Sequence, residues 1–376
     1  MRTIIIHLCE GMRIFRRRIN VLFHGLSQYS GDDNEICKKI IEGCYDKDKK
    51  YFRTSLNNYP EFYSRDFGMC AQALVNLGYR EKVLDTLKYA LGIYVKYNKM
   101  ALVISPNGLI FDFPDKYAPD GIAYFFRSLR IAKAKALIED NKDFLNSELK
   151  RFEHIVIDKK NGIVKNKAFS GMRDHAVVKA ACYDMIMACM LEDEIDRINA
   201  LMGKKVLVNL LRKYDLKKNL VKYYWTGTYF KDSLVNDAIT GHCNIFPYWL
   251  DVITDKRMME SSITSIVAKE LDSPLPLKYG ISDNIKYFWG EIFVKDWEKD
   301  TIWVFLGIPY IEILSKVDKN QAITYLKRYK ELILRYKGFI EVFHKEIRPY
   351  SSLFFYSDNT MLWASIYLDA KKKLGI

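Results

Sequence analysis

Arg65 and Asp66 stand side by side in YSRDFGMCAQALVNLGY, residues 63–79, just ahead of an apolar run with helical spacing. An aspartate at a helix N-terminus is held as an anion by the free N–H groups of the first turn, and the arginine beside it offers donors in a fixed plane. The pair suits a ligand rich in hydroxyls; it equally suits an N-cap with its ion-pair partner. The other joints of the chain favour the first reading. NNYPEFYSRDFG, FDFPDKYAPDG, KAFSGMRDH, KYYWTGTYFKDS and GFIEVFHKEIRPYSS all mix carboxylates with aromatic rings. A pyranose needs that mixture, because its C–H face packs on an aromatic while its hydroxyls bond to carboxylate and guanidinium. Tyr63, Trp225, Tyr229 and Trp303 are candidate platforms, although aromatics at helical spacing also build cores. Trp289 and Glu291 in YFWGEIF form a further aromatic–acid pair. His175 and His242 lack ligand partners at metal-binding spacing, so neither a metal nor a cofactor is expected. Gly-rich phosphate loops and nucleophile elbows are missing from the sequence, which argues against kinases, dehydrogenases and serine hydrolases.

The elements that would position these residues are nearly all helical. Apolar residues recur with helical period over 32–45, 66–79, 80–97, 120–137, 141–156, 174–191 and 193–214. They do so again over 243–253, 255–271, 300–316, 319–336 and 358–373. ALVIS and GLIFDF, joined by Pro106-Asn107-Gly108, read as a protruding β-hairpin. Helices in pairs, without the period of a solenoid, predict a closed toroid or an irregular bundle. In a toroid the joints at one end converge on a cavity. Residues 31–376 are expected to form that body, with 1–30 an extension of uncertain structure.

The 376 residues carry 59 Lys and Arg against 46 Asp and Glu, a net charge of +13. Such a surplus fits nucleic acid, an acidic glycan or an anionic membrane surface. The basic residues are dispersed and no nucleic-acid motif accompanies them, so nucleic-acid binding is not expected. The densest cluster is RIFRRR at 13–18. The opening MRTIIIHLCEGMRIF is too short and too charged to span a bilayer, though it permits a peripheral amphipathic helix. Seven cysteines without a CxxC pair suggest a reduced, cytoplasmic setting.

Five segments, in order from residue 59 to residue 369, resemble the six-hairpin glycosidases, the superfamily of glucoamylases, trehalases and processing α-glucosidases. YPEFYSRDFGMCAQALVNLG is similar to their Trp-x-Arg-Asp segment. SGMRDHAVVKAACYD resembles their Ser-Gly-x-Asp segment. TGHCNIFPYWLDV and DTIWVFLGIPYIEIL match intermediate segments, and GFIEVFHKEIRPYSSLFFYSDNTMLWASIYLD resembles the closing Glu-x-Tyr-x-Pro region. The resemblance implies an all-α (α/α)6 toroid with a small β-hairpin insertion. It also implies inverting hydrolysis of a terminal α-glucosidic or related hexoside bond by two carboxyl groups. Asp174 corresponds to the general acid and Glu341 to the base. Arg65 and Asp66 correspond to sugar anchors, and Asp120 lines the cavity. Asp174 falls one residue later than in many relatives, and Arg173 holds the place of their acid. Its charge would keep a neighbouring carboxyl ionised. Lys345 and Arg348 would keep Glu341 ionised. The expected partner is an oligosaccharide or glycoside. Rival readings are a glycan-binding barrel whose catalytic carboxyls have drifted, a lyase for acidic sugars, and an all-α scaffold for acidic partners.

Overall fold

The computed structural model describes residues 2–280 and 285–376, with side chains from residue 10 onward except 289 and 290. Fourteen α-helices lie among them. In chain order they are α1 (Arg2–His24), α2 (Asp33–Cys44), α3 (Ser64–Asn76), α4 (Arg80–Tyr97), α5 (Pro119–Ile131), α6 (Lys135–Asp140) and α7 (Lys142–Val156). Then follow α8 (Cys182–Met202), α9 (Leu216–Tyr224), α10 (Gly241–Trp249), α11 (Lys256–Ala268), α12 (Val304–Leu314), α13 (Lys319–Tyr336) and α14 (Ala364–Leu374).

The sequences of the helices sort them into two layers. In α12, VFLGIPYIEIL, every residue but Glu312 is buried, and in α10 Gly241 to Tyr248 are all buried. A helix apolar all round must sit inside. By contrast, α7 and α13 are amphipathic and bury a single stripe. Six helices make the inner layer, and each packs on the next: α3 on α5, α5 on α8, α8 on α10, α10 on α12, α12 on α14, and α14 back on α3. The ring is closed. Outside it, α4 leans on α3, α7 on α5, α9 on α8, α11 on α10, α13 on α12 and α2 on α14. Inner and outer helices alternate along the chain, giving six hairpins. Close approach within the ring needs Gly68, because a Cβ there would collide with Tyr124 across the α3–α5 contact.

Alternation sends all six ring helices the same way, so their N-terminal ends share one mouth. Very short strands tie the joints there. Phe62–Tyr63, Val103–Ile104 and Ile110–Phe111 form a three-stranded sheet that includes the expected hairpin, whose turn needs Gly108 at φ +73. Ile302–Trp303 pairs with Val342–Phe343, and Ala176–Val177 with Lys286–Tyr287.

Several elements differ from the periodicity, among them the helix read at 120–137, which ends at Ile131 and is followed by α6 from Lys135. The helix read at 174–191 starts only at Cys182, because both oxygens of Glu298 accept the N–H groups of His175 and Ala176 and hold that stretch extended. The break expected near residue 192 does not occur, and α8 runs on to Met202. The last helix starts at Ala364 rather than 358, because Asp358 accepts from the N–H and hydroxyl of Thr360 and captures the backbone in a turn. Finally, α9 had no counterpart in the sequence reading, and residues 2–24 are helical.

Candidate active site

The mouth is built around Arg65. As the second residue of α3 it projects from the helix N-terminus, and it is nearly buried at 6% exposure. Its guanidinium stands 3.3 Å from Asp120 on α5, 3.1 Å from Asp174 on the loop before α8, and 3.8 Å from Asp66. It also donates to the carbonyl of Gly171. Burial works against its charge, but Asp174, Asp120 and Asp66 outweigh that and raise its pKa well above the ordinary value. Asp120 accepts further bonds from the Gly121 N–H at 2.7 Å and the Tyr183 hydroxyl at 3.3 Å. Asp66 accepts from the Trp363 indole at 3.1 Å. Ring closure thus brings Arg65, Asp66, Asp120 and Asp174 together from three hairpins.

Arg173 does not act on Asp174 as the sequence suggested. It turns to the buried Asp232, and Arg65 takes its place as the cation on Asp174. Nor is Asp174 an N-cap, since the helix begins eight residues later. With its side chain 28% exposed, it is the most open carboxyl of the cluster.

One guanidinium cannot balance all the acids gathered here. Burial pushes the Asp66 carboxyl up to about 6 despite Arg65. Burial, reinforced by the charge of Asp174, pushes Glu298 up to about 8. Glu341, 2% exposed, is raised to about 8 by burial, with the charge of Asp358 adding to it. It accepts the Asp358 N–H at 3.0 Å and a bond from Tyr59. Lys345 and Arg348 are not its counter-ions: Lys345 faces Asp300 at 3.7 Å and Arg348 faces Glu346 at 3.9 Å, both out in solvent. Tyr59 connects the two halves of the site. Burial first, then the charge of Glu341 and, more weakly, those of Asp358 and Asp174 raise its phenol well above the usual range. Tyr63 stands edge-on to Tyr59 at 6.2 Å, and burial raises its phenol, with the charges of Glu10, Glu61, Asp174 and Asp66 adding to it.

Helix α1 lies across this mouth. Arg13 reaches Glu61 at 2.6 Å and the Asn58 carbonyl at 2.9 Å. Arg17 donates to Asn58 and to the Tyr356 carbonyl, and Arg18 to the Ser352 carbonyl. Glu61, buried under α1, is raised to about 7 by burial although Arg13 pairs with it.

Other expected platforms sit elsewhere. Trp303 is buried, its N–H donated to Trp297 and Thr301, and it backs Tyr279 edge-on rather than facing the mouth. Trp225 packs edge-on against Phe230, and Tyr229 bonds to the Asp237 carbonyl, with no bond or ring contact of either to the Arg65 cluster among the described residues. The Trp289 side chain lies outside the described residues. Glu291 is raised to about 6 by burial, and the charge of Glu298 adds to it. Asp232, His242 and Cys243 could in principle gather a metal ion, but Arg173 already neutralises Asp232 and its charge disfavours a second cation on His242. Sequence reasoning missed Glu298, Tyr59, Tyr279 and Asp358. Asp358 binds Ser55 at 2.7 Å and the Asn58 N–H at 2.6 Å, which closes the ring between its first and last hairpins. No local pattern marks these residues, because their partners are distant in the chain.

No family model matches the chain, and a search of curated proteins finds no match. Solved structures do. A rhamnosidase from Klebsiella oxytoca with rhamnose bound is similar with TM-score 0.63 at 12% identity, over 93% of this chain and 65% of that one. A metal-independent α-mannosidase from Streptococcus pneumoniae matches with TM-score 0.59 at 14% identity, over 91% of this chain and 93% of that one. A mannosylglycerate hydrolase from Thermus thermophilus, in complex with glucose, matches with TM-score 0.58 at 10% identity, over 91% and 100%. The chain spans 65% of the rhamnosidase and more than nine-tenths of the other two. Its fold is the (α/α)6 barrel that these solved structures share.

Proposed function

We propose that the protein is a glycoside hydrolase that removes a terminal hexosyl residue, an α-glucoside or a related hexoside, with inversion. The observation that carries this reading is the Arg65 cluster. A guanidinium bracketed by Asp66, Asp120 and Asp174, at the closed end of a carboxyl-lined mouth, is a set of fixed donors and acceptors for the hydroxyls of one sugar ring. The similarity to sugar-processing enzymes of the same fold supports it.

Hydrolysis at an anomeric carbon without a metal needs one protonated carboxyl on the leaving oxygen and one ionised carboxyl to activate water. Asp174 is proposed as the donor and Glu341 as the base. Arg65 holds the Asp174 carboxyl at 3.1 Å, and a sugar whose hydroxyls take over the donors of Arg65 would loosen that pairing and free the carboxyl to face the leaving oxygen. Glu341, pushed up to about 8, is a strong base once ionised. One observation favours a binding-only barrel as the second reading, namely the hold of Arg65 on Asp174.

The test is release of nitrophenol from a panel of nitrophenyl hexosides, with proton NMR to identify the first anomer formed. Asp174→Asn and Glu341→Gln are the controls. Loss of hydrolysis in both variants with retained sugar binding supports the hydrolase. A wild-type protein that binds sugars and hydrolyses none supports the binding barrel. Neither binding nor hydrolysis overturns both readings.

A further inference from the structure

Helix α1 is amphipathic and mounted the unusual way round. Its inward face is anchored by arginines: Arg13, Arg17 and Arg18 spend their donors on Glu61, Asn58, Tyr356 and Ser352 of the barrel, beside Ile14, which packs on the core. Its outward face carries Met12, Phe15, Ile19, Leu22 and Phe23 at the three-and-four spacing that aligns them in one stripe, with Leu22 and Phe23 66% and 75% exposed. Water is a poor neighbour for five large apolar side chains in a row, and soluble surfaces rarely keep such stripes uncovered.

The stripe does not end with the helix. Phe15 touches Phe354 at 5.7 Å, and Phe354 touches Phe293 at 5.0 Å. The flanking Leu353 and Ile292 are exposed as well, so α1 and two rim loops make one apolar face. Ser352 donates to the Phe293 carbonyl at 2.7 Å and Arg18 to the Ser352 carbonyl at 2.9 Å, which binds the three segments together. Arg16 on α1 and Lys295 on one loop are exposed beside this face, and neither has an ion pair among the described residues.

We infer that this face docks on an anionic lipid bilayer, with α1 lying in the headgroup plane and the apolar side chains reaching below it. Apolar area and cations on one face are the two contributions that bind an interfacial helix to an anionic surface. A second copy of the chain is a poor occupant. A two-fold contact lays the same patch on itself and sets Arg16 and Lys295 against their own images, in a chain that already carries +13. The proposed attachment is peripheral, through α1 and the two rim loops; no helix of the described residues is long and apolar enough to cross a membrane. This inference is independent of the hydrolase reading.

Flotation of the full chain with vesicles tests it, using phosphatidylcholine alone and phosphatidylcholine mixed with phosphatidylglycerol. Association with the mixed vesicles is expected, weakening as salt is added. Replacing Phe15 and Ile19 together by Ser should weaken it at least about tenfold, and Arg16→Glu about fivefold or more. Leu353→Asp, on a different segment, should weaken it even if the α1 variant unfolds the helix. Failure to associate with either vesicle overturns the proposal. So does self-association of the wild type that the same variants abolish, because a second copy then covers the face. Equal, salt-insensitive binding to both vesicles contradicts the part played by the cations.

Discussion

At the N-terminal ends of the ring helices one guanidinium serves three carboxylates, while further acids nearby are buried with too few cations. At the C-terminal ends of the same helices lies a hollow of about 560 Å³, lined by Arg127, Arg130, Arg197, Glu312 and Lys373 among others. Both patterns follow in part from the helix dipoles, whose N-termini favour anions and C-termini cations. The difference lies in pairing. In the basal hollow Glu194 is matched by Arg130 and Arg197, and Lys373 by Glu312 and Asp369, while Arg127 rests over the Trp249 ring. At the mouth, burial leaves Asp66 near 6, Glu61 near 7, and Glu298 and Glu341 near 8. Charges that satisfy one another stabilise a fold, whereas acids held at raised pKa values are characteristic of sites that act on ligands. On the proposed reading the paired basal hollow is the structural end and the unbalanced mouth the chemical one.

The comparison breaks most visibly through catalysis. Asp174→Asn or Glu341→Gln should each lower kcat on a nitrophenyl hexoside by about a hundredfold or more, the usual contribution of a positioned acid or base. Glu312→Gln in the basal hollow should leave kcat unchanged. A basal variant that lost as much activity as a mouth variant would erase the distinction.

Stability gives the next contrast. Arg65→Met strands Asp66, Asp120 and Asp174 without their cation and should cost about 3–5 kcal/mol in denaturant unfolding. Lys373→Met removes a cation that is half in solvent and should cost about 1 kcal/mol or less.

A smaller effect concerns pH. Acids raised in the folded state keep protons that the unfolded chain releases. Their contribution is therefore complete below the ordinary carboxyl range and is lost as pH rises toward 8. Thermal stability should fall between pH 5 and pH 8. Glu341→Gln, which retains an oxygen for the Asp358 N–H, should be more stable than wild type at pH 8 by about 1–3 kcal/mol, with the gain shrinking toward pH 5. Equal Tm changes at both pH values would show that Glu341 does not titrate between pH 5 and pH 8.

The toroid was legible because its evidence is local. Helical periodicity, the Gly108 turn and the fully apolar α12 are all written in contiguous residues, and five ordered segments supplied the ring. Arg65, Asp66 and Asp120 were legible for the same reason, since each opens a helix. What escaped notice depends on partners far away in sequence. Glu298 lies in an unremarkable charged loop, and only its grip on residues 175 and 176, 122 or more positions earlier, gives it meaning. That grip also explains why the helix expected at 174 was misplaced. Trp303 reads as a platform by type, but its N–H bonds to Trp297 and Thr301 fix it behind Tyr279. The polarity of α1 was visible in sequence, while the side it would turn outward was not.

The most direct measurement is a crystal of the protein soaked with a hexose. The sugar should lie at the mouth, with hydroxyls on Arg65, Asp66 and Asp120 and its anomeric carbon between Asp174 and Glu341. A hexose found only in the basal hollow beside Arg127 and Trp249, with the mouth empty, would contradict the assignment of the two ends.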